Sequence, residues 1–300
     1  MRMTRILQII RKLIAITIPF AIRKRLPRSI SKHLYFTGEF RVIHDKKKLL
    51  TICSTGYVLE NDLYFYGLNE GHEKKAMSVW IEYCKKFKPN VVYDIGANTG
   101  IYGLVTLALN PQPKVIFFEP LESATKILRK NLELNGFDAK VYELALSNYD
   151  GEGIFFMNEG MDFLYSITLN EYADLAIQGI HDSSSLYEEK KVKVITVDSL
   201  IKKEAISKPN LVKIDVETHE PEVLGGFGFP LSEVDAFLIE ILNNEAAQKL
   251  NELFRELDFS IYSLDDKENT SLKISSFVFN GSSNFFVVKP ELAKKLESLK

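Results

Sequence analysis

From residue 89 onward, apolar and polar positions fall into a regular alternation. "NVVYDIG" reads as a strand and "IYGLVTLAL" as the helix after it. "KVIFFEP" gives a second strand, and "LESATKILRKNLELNGF" a helix that stops near Gly136. "KVYELAL" is a third strand. "NLVKIDVE" is a fourth, with "PEVLGGF" opening a helix, and "VDAFLIEIL" is a fifth, followed by the helical "NEAAQKLNELFRELDF". "SIYSL" and "NFFVVK" supply two closing strands. Strands alternating with helices predict an α/β fold, a parallel sheet with helices on both faces. The apolar density of "VIFFE" and "AFLIEIL" fits strands buried on both sides. The crossovers are expected to be right-handed.

Two stretches depart from this rhythm. Residues 150–191 separate the third and fourth strands and are too long for an ordinary connection. They read as a hairpin and a loop, either a lid or a surface insertion. The amino terminus, "MRMTRILQIIRKLIAITIPFAIRKRLPR", has its longest uncharged run from Leu13 to Ile22. That is about half the ~20 residues of a bilayer span. Pro19 interrupts it, and Arg23, Lys24 and Arg25 follow where a signal peptide has small residues. Ile6, Ile9, Ile10, Leu13 and Ile14 have helical spacing. Two readings stand: a helix packed on the body, or an amphipathic helix lying on an anionic membrane. Residues 1–70 therefore read as a basic arm and lead-in, and residues 71–300 as the main domain.

Charge sharpens the contrast. Residues 1–50 hold 13 Lys/Arg against 2 Asp/Glu, whereas the other 250 hold 25 against 38. A basic arm on an acidic body marks a surface-binding segment. The whole chain is near neutral, which does not suggest nucleic acid as a partner. Cys53 and Cys84 are the only cysteines and form no CxxC, which argues against a disulfide scaffold or a thiolate metal site. A reducing, cytoplasmic setting fits, with peripheral contact at the inner membrane face as the arm's second reading.

The candidate chemistry sits where the first two strands end. Ligands bind beyond the carboxyl ends of strands in an open parallel sheet. The first strand ends at Asp94, and Gly96 and Gly100 let the backbone turn close to a ligand. A dinucleotide fingerprint wants GxGxxG, and here the middle glycine is missing. Glu119 ends the second strand, where a carboxylate can accept both hydroxyls of a ribose. Asp94 can meet a cationic or amino group. A ribose at one side and an ammonium at the other describe S-adenosylmethionine better than NAD. Asn98 and Thr99 either contact the donor or shape the turn.

These motifs carry a family resemblance. "DIGANTG" at 94–100, "FFEP" at 117–120, "LNGF" at 134–137, "LALSNYDG" at 144–151, "VDSL" at 197–200 and "KIDVETHEPEVLGG" at 213–226 resemble, in order and spacing, the FkbM family of methyltransferases. The resemblance covers roughly residues 70 to 290. It implies a Rossmann-like, doubly wound, seven-stranded methyltransferase sheet, mostly parallel with an antiparallel closing strand. It implies S-adenosylmethionine as methyl donor and a hydroxyl as acceptor, on a sugar or a polyketide; beside the basic arm, a sugar, glycan or glycolipid hydroxyl is the expectation. Glu73, in "EGHEKK", resembles a family position near the methionine end. Ala145, in "LALSNYDG", joins the candidate cofactor residues. The family often has "DVEG", where this chain has Thr218 in place of glycine.

The fourth strand end carries Asp215, Glu217, His219 and Glu220. Asp215 ends an apolar run and is expected to point into the cleft. His219 sits among carboxylates that are expected to raise its basicity, which makes it the first candidate for a general base beside Asp215 and Glu217. Glu220 and Glu222 flank Pro221, and helix capping explains both without chemistry, with a functional role for Glu220 as the alternative. Glu240 ends the fifth strand beside Asp215. Two such carboxylates can hold Mg²⁺ or act as a base and its orienting partner, and no metal is assigned. The resulting expectation is an O-methyltransferase. A non-catalytic donor-binding module and an NAD-dependent oxidoreductase are the alternatives.

Overall fold

A computed structural model of the 300-residue chain describes residues 36–158 and 187–299, except positions 46, 56–57, 72, 111 and 280–282, together with residues 22, 24–27, 31 and 34. The helix expected in the first 28 residues lies largely outside these, and of the 150–191 stretch expected to be a hairpin with a lid or surface insertion, residues 159–186 lie outside them. Among the described residues, no helix is long and apolar enough to cross a membrane.

The described chain opens with an antiparallel hairpin, β1 (Gly38–His44) and β2 (Lys47–Ser54). Phe40 and Val42 face Ile52 and Leu50 in register, and all four are buried, the period of two that a one-sided strand pair requires. Helices α1 (Val58–Tyr66) and α2 (Lys74–Phe87) follow. The alternating core then runs β3 (Val91–Ile95), α3 (Ile101–Leu109), β4 (Lys114–Phe118), α4 (Glu122–Asn135) and β5 (Lys140–Tyr142). A small three-stranded sheet comes next, from β6 (Ala145–Leu146), β7 (Gly151–Asn158) and β8 (Tyr187–Ile195). After it come α5 (Val197–Glu204), β9 (Leu211–Ile214), α6 (Glu220–Gly225), β10 (Ala236–Glu240), α7 (Asn244–Phe254), β11 (Ser260–Asp265), β12 (Thr270–Ile274), β13 (Asn284–Val288) and α8 (Pro290–Ala293).

The main sheet has eight strands in the order β12-β11-β13-β10-β9-β3-β4-β5. The five from β10 to β5 are parallel, β13 is antiparallel to both β10 and β11, and β12 is antiparallel to β11. The seven strands expected from sequence are present, and β12 adds an eighth at one edge. "TSLKI" gave no strand signal because it is largely exposed, as an edge strand can be. The third expected strand, "KVYELAL", divides: Lys140–Tyr142 joins the main sheet, and Ala145–Leu146 pairs with β8 instead. The hairpin expected near 150–191 is β7 against β8.

Alternate residues of each central strand feed two apolar layers. Val92, Val115 and Phe117 pack with Trp80, Leu104 and Leu128 of α2, α3 and α4. Tyr93, Ile95, Ile116 and Phe118 pack with Leu200, Val223 and Leu250 of α5, α6 and α7. Burial of both faces explains why these strands read as unbroken apolar runs. The amino-terminal hairpin joins the first layer and is fastened to α4 by amide side chains. Asn135 both accepts from the Thr51 N–H and donates to the Thr51 carbonyl, each at 2.7 Å, and Asn131 accepts from the Cys53 N–H at 2.8 Å. These side chains supply the partners that β2's open edge lacks.

Candidate active site

The carboxyl ends of β3, β4, β9 and β10 bring together most of the predicted site residues. β3 delivers Asp94 into the interior, 1 % exposed. The chain then turns through Gly96, Asn98 and Gly100, all with positive φ (70°, 50° and 87°), into the first turn of α3. Gly96 is required by a neighbour as well as by its φ: a Cβ there would lie 1.8 Å from the carbonyl oxygen of Asp215. The turn therefore rests directly on the end of β9. Asp94 Oδ2 accepts the Gly103 N–H at 2.9 Å, which ties the strand end to the helix it feeds. Asp94 Oδ1 is buried and has no hydrogen-bond partner among the described residues. Burial pushes this carboxyl up to about 6, against the pull of Lys213 and of the Gly103 N–H.

Glu119, 6 % exposed, stands one strand over. Its Oε2 accepts the Asn98 N–H at 2.9 Å and its Oε1 the Leu121 N–H at 3.0 Å. Burial raises it to about 7, and the two N–H groups oppose that rise. Thr99 is 1 % exposed, and its carbonyl accepts from Asn131 Nδ2 at 3.0 Å. Ala145 lies in β6, within a small apolar cluster that includes Leu121, Phe155 and Val194.

On the other side of Asp94 lies a group of acids around one lysine. Lys213 faces Asp94 in register, and its Nζ lies 2.7 Å from Asp215 Oδ2. The Lys213 ammonium also stands 5.1 Å from the centre of the Tyr102 ring. Surrounding acids hold it above the ordinary lysine value despite its burial. Glu73 enters from the start of α2 with φ 54°. It accepts Tyr102 Oη–H at 2.9 Å and Asn284 Nδ2–H at 3.1 Å. Glu73, Asp215 and Glu240 each offer an oxygen, all within 4.8 Å of one another. Burial first, and the Asp215 charge second, push the Glu240 carboxyl well above the usual range. Three such oxygens can hold a hard cation, and the Lys213 ammonium already brings a positive charge to the same place.

His219 differs from its sequence reading. It is 9 % exposed, its Nε2 lies 2.9 Å from Ser147 Oγ, and its Nδ1 is 3.8 Å from Glu222 Oε2. Burial lowers its pKa, and this outweighs the opposite pull of Glu222. The expected gain in basicity is overturned because desolvation of the imidazolium costs more than one partly exposed carboxylate returns. Glu217 keeps its place beside Asp215; burial and the Asp215 charge push it up to about 8. Four contributors escaped the sequence reading. Lys213 had one visible signal, a charge inside an apolar strand. Tyr102, Asn284 and Asn131 had none.

The family described as the methyltransferase FkbM domain matches residues 94–262. The chain is similar to hexuronic acid methyltransferase AglP of Haloferax volcanii, 26% identical over 171 residues, covering 57% of this chain and 64% of that protein. It is also similar to AMB antimetabolite synthetase AmbE of Pseudomonas aeruginosa, 26% identical over 203 residues, covering 57% of this chain and 10% of that one. The matched region thus spans less than two thirds of either curated relative's length. Among solved structures, a SAM-dependent methyltransferase from Agrobacterium tumefaciens aligns with TM-score 0.43 and 10% identity, covering 85% of this chain and 71% of that one.

Proposed function

Because the chain belongs to the FkbM methyltransferase family, matched over more than half its length, we propose that it transfers a methyl group from S-adenosylmethionine to a hydroxyl of a sugar, glycan or glycolipid. The observation that carries this reading is the pair of buried carboxyls, Asp94 and Glu119, at the ends of adjacent parallel strands on either side of one glycine turn. The residues fit the donor. Asp94 has a buried oxygen without a partner, suited to a cationic or N–H group. Each Glu119 oxygen takes a single backbone N–H and keeps a lone-pair site for a ribose hydroxyl. In this reading Gly96, Asn98, Thr99 and Gly100 shape the turn around the donor. Glu73 faces its methionine end, and Ala145 keeps the neighbouring wall small and apolar.

S-adenosylmethionine, when bound, supplies the methyl group and the sulfur that leaves. The chain's own residues have two tasks: to hold the acceptor oxygen in line, and to take its proton as it attacks. A sugar hydroxyl is too weak an acid to ionise unaided near neutral pH, so a proton acceptor is needed. Asp215 is assigned that role. It ends β9, is 25% exposed as a side chain, and is fixed in orientation by the Lys213 ammonium. Glu217 lies beside it as a second carboxyl on the acceptor side. His219, bonded to Ser147, has a structural role in this reading.

The hexuronic acid named for the Haloferax relative is one acceptor class to test. For the basic arm, the charge balance and apolar spacing of residues 1–28 support contact with an anionic membrane surface, where a glycolipid acceptor is found. The deciding experiment incubates the full chain with methyl-labelled S-adenosylmethionine and a panel of neutral sugars, hexuronic acids and glycolipids. Label recovered in a sugar supports the reading. Donor binding without transfer to any acceptor supports a non-catalytic binding module instead.

A further inference from the structure

The chain leaves β9 through a turn that few residues tolerate. Glu217 has φ 54° and Thr218 φ 81°, two consecutive non-glycine residues in the left-handed region. For a β-branched residue such as Thr218 this is a genuine outlier, because Cβ crowds the backbone there. Strain of this kind persists only where the surroundings hold it in place.

One side chain does so. Glu220, fully buried at the start of α6, accepts both the Val216 N–H and the Thr218 N–H on Oε1, each at 3.2 Å. It therefore bonds the amides on both sides of Glu217. The same short segment presses on the donor turn, since Asp215 N–H donates to the Ile95 carbonyl at 3.1 Å and the Asp215 carbonyl lies against Gly96. Burial raises the Glu220 carboxyl to about 8, and Oε1 can accept from both amides whether or not the carboxyl is ionised.

We propose that Glu220 is a positioning residue for methyl transfer: its carboxyl clamps the strained Glu217–Thr218 turn and so holds Asp215 and Glu217 at a fixed place against the donor turn. This inference rests on the function proposed above and gives a specific task to a residue whose alternative reading is helix capping. Capping accounts for a carboxylate near the first helical N–H groups. It does not account for a carboxyl that reaches back past the helix to both amides of a left-handed turn.

The test compares Glu220→Ala, Glu220→Gln and the double variant Glu220→Ala/Thr218→Gly. Single-turnover transfer is read beside affinity for S-adenosylhomocysteine. Glu220→Ala is expected to slow transfer about tenfold or more with product affinity within about twofold. Glu220→Gln keeps an acceptor oxygen and is expected to stay within about threefold of wild type. Thr218→Gly is expected to restore most of the lost rate, because glycine adopts the left-handed conformation unaided. A Glu220→Ala protein at wild-type rate overturns the proposal, as does a double variant no faster than Glu220→Ala. If Glu220→Ala does not fold, a folded double variant supports the clamp and an unfolded one contradicts it. Amide hydrogen exchange at Val216 and Thr218 needs no acceptor and separates the two readings. A wild-type chain that transfers no methyl refutes the function, whereas unchanged exchange at both amides in Glu220→Ala refutes the clamp.

Discussion

Glu119, at the end of β4, accepts the backbone N–H of Asn98, a residue held at positive φ inside the turn after β3, at 2.9 Å. One carboxyl thus joins two strand ends and sets the shape of the turn between them. If it also bonds the donor's ribose through charge-assisted contacts, each is worth about 1.5–3 kcal/mol. Glu119→Ala is then expected to weaken S-adenosylhomocysteine binding tenfold or more. Calorimetry on the folded variant checks this, and unchanged affinity removes Glu119 from the site.

Asp215 and His219 are separated by their surroundings. Asp215 is paired with Lys213, whereas His219 is bonded to Ser147 and burial lowers its pKa. Asp215→Asn is expected to slow single-turnover transfer by about 10²-fold or more with donor affinity nearly unchanged, the signature of a lost proton acceptor. His219→Ala is expected to lower the melting temperature and to slow transfer less than Asp215→Asn does. The reverse order of rates returns the histidine to the role of base.

The raised carboxyls make a prediction about stability. Asp94 titrates near 6, Glu119 near 7, and Glu217 and Glu220 near 8, all above the ordinary carboxyl range near 4. Between about pH 5 and 8 the folded chain therefore binds more protons than the unfolded chain. Stability present below the unfolded values is lost as pH rises through the folded ones. His219 and His44, both lowered, act in the opposite direction but are fewer. Thermal melts of the ligand-free chain are expected to show the midpoint falling from pH 5 to pH 8.5. A rising midpoint contradicts the burial of these acids.

Asn131 is fully buried and bridges the Thr99 carbonyl to the Cys53 N–H. It couples the amino-terminal hairpin to the donor turn. Asn131→Ala leaves the buried Thr99 carbonyl and the half-buried Cys53 N–H without this partner, and a fully buried group left so costs about 1–3 kcal/mol. A loss of about 2–4 kcal/mol in chemical denaturation is expected, together with weaker S-adenosylhomocysteine binding.

The reach of the sequence follows from which interactions are local. Strands buried on both faces announce themselves as apolar runs, so the sequence alone places Asp94, Glu119, Asp215 and Glu240 at strand ends. Glycines that a turn requires are equally visible. Contacts between distant segments are not. Glu73 meets Asn284 across 211 positions, and Asn135 completes the edge of β2 from 84 positions away. His219 shows a different failure: its acidic neighbours are evident in the sequence, but the burial that outweighs them depends on packing. Thr218 was conspicuous only as a threonine where the family often has glycine, and its φ of 81° gives that departure a physical meaning.

The arm's charge excess gives a separate expectation. Polybasic attraction near an anionic surface is worth about 1 kcal/mol per charge. The full chain is expected to float with anionic liposomes at low salt and to be released at high salt. A chain starting after Arg28 is expected to stay in the soluble fraction. Equal flotation of both removes the arm from membrane binding.

In the proposed function, the turn between Asp94 and Glu119 receives S-adenosylmethionine. The most direct measurement is a calorimetric titration of the full chain with S-adenosylhomocysteine, repeated in the presence of excess NAD. Saturable one-to-one binding is expected, unchanged by NAD and weakened by Glu119→Ala. No heat of binding from the product, or displacement of the product by NAD, would contradict it.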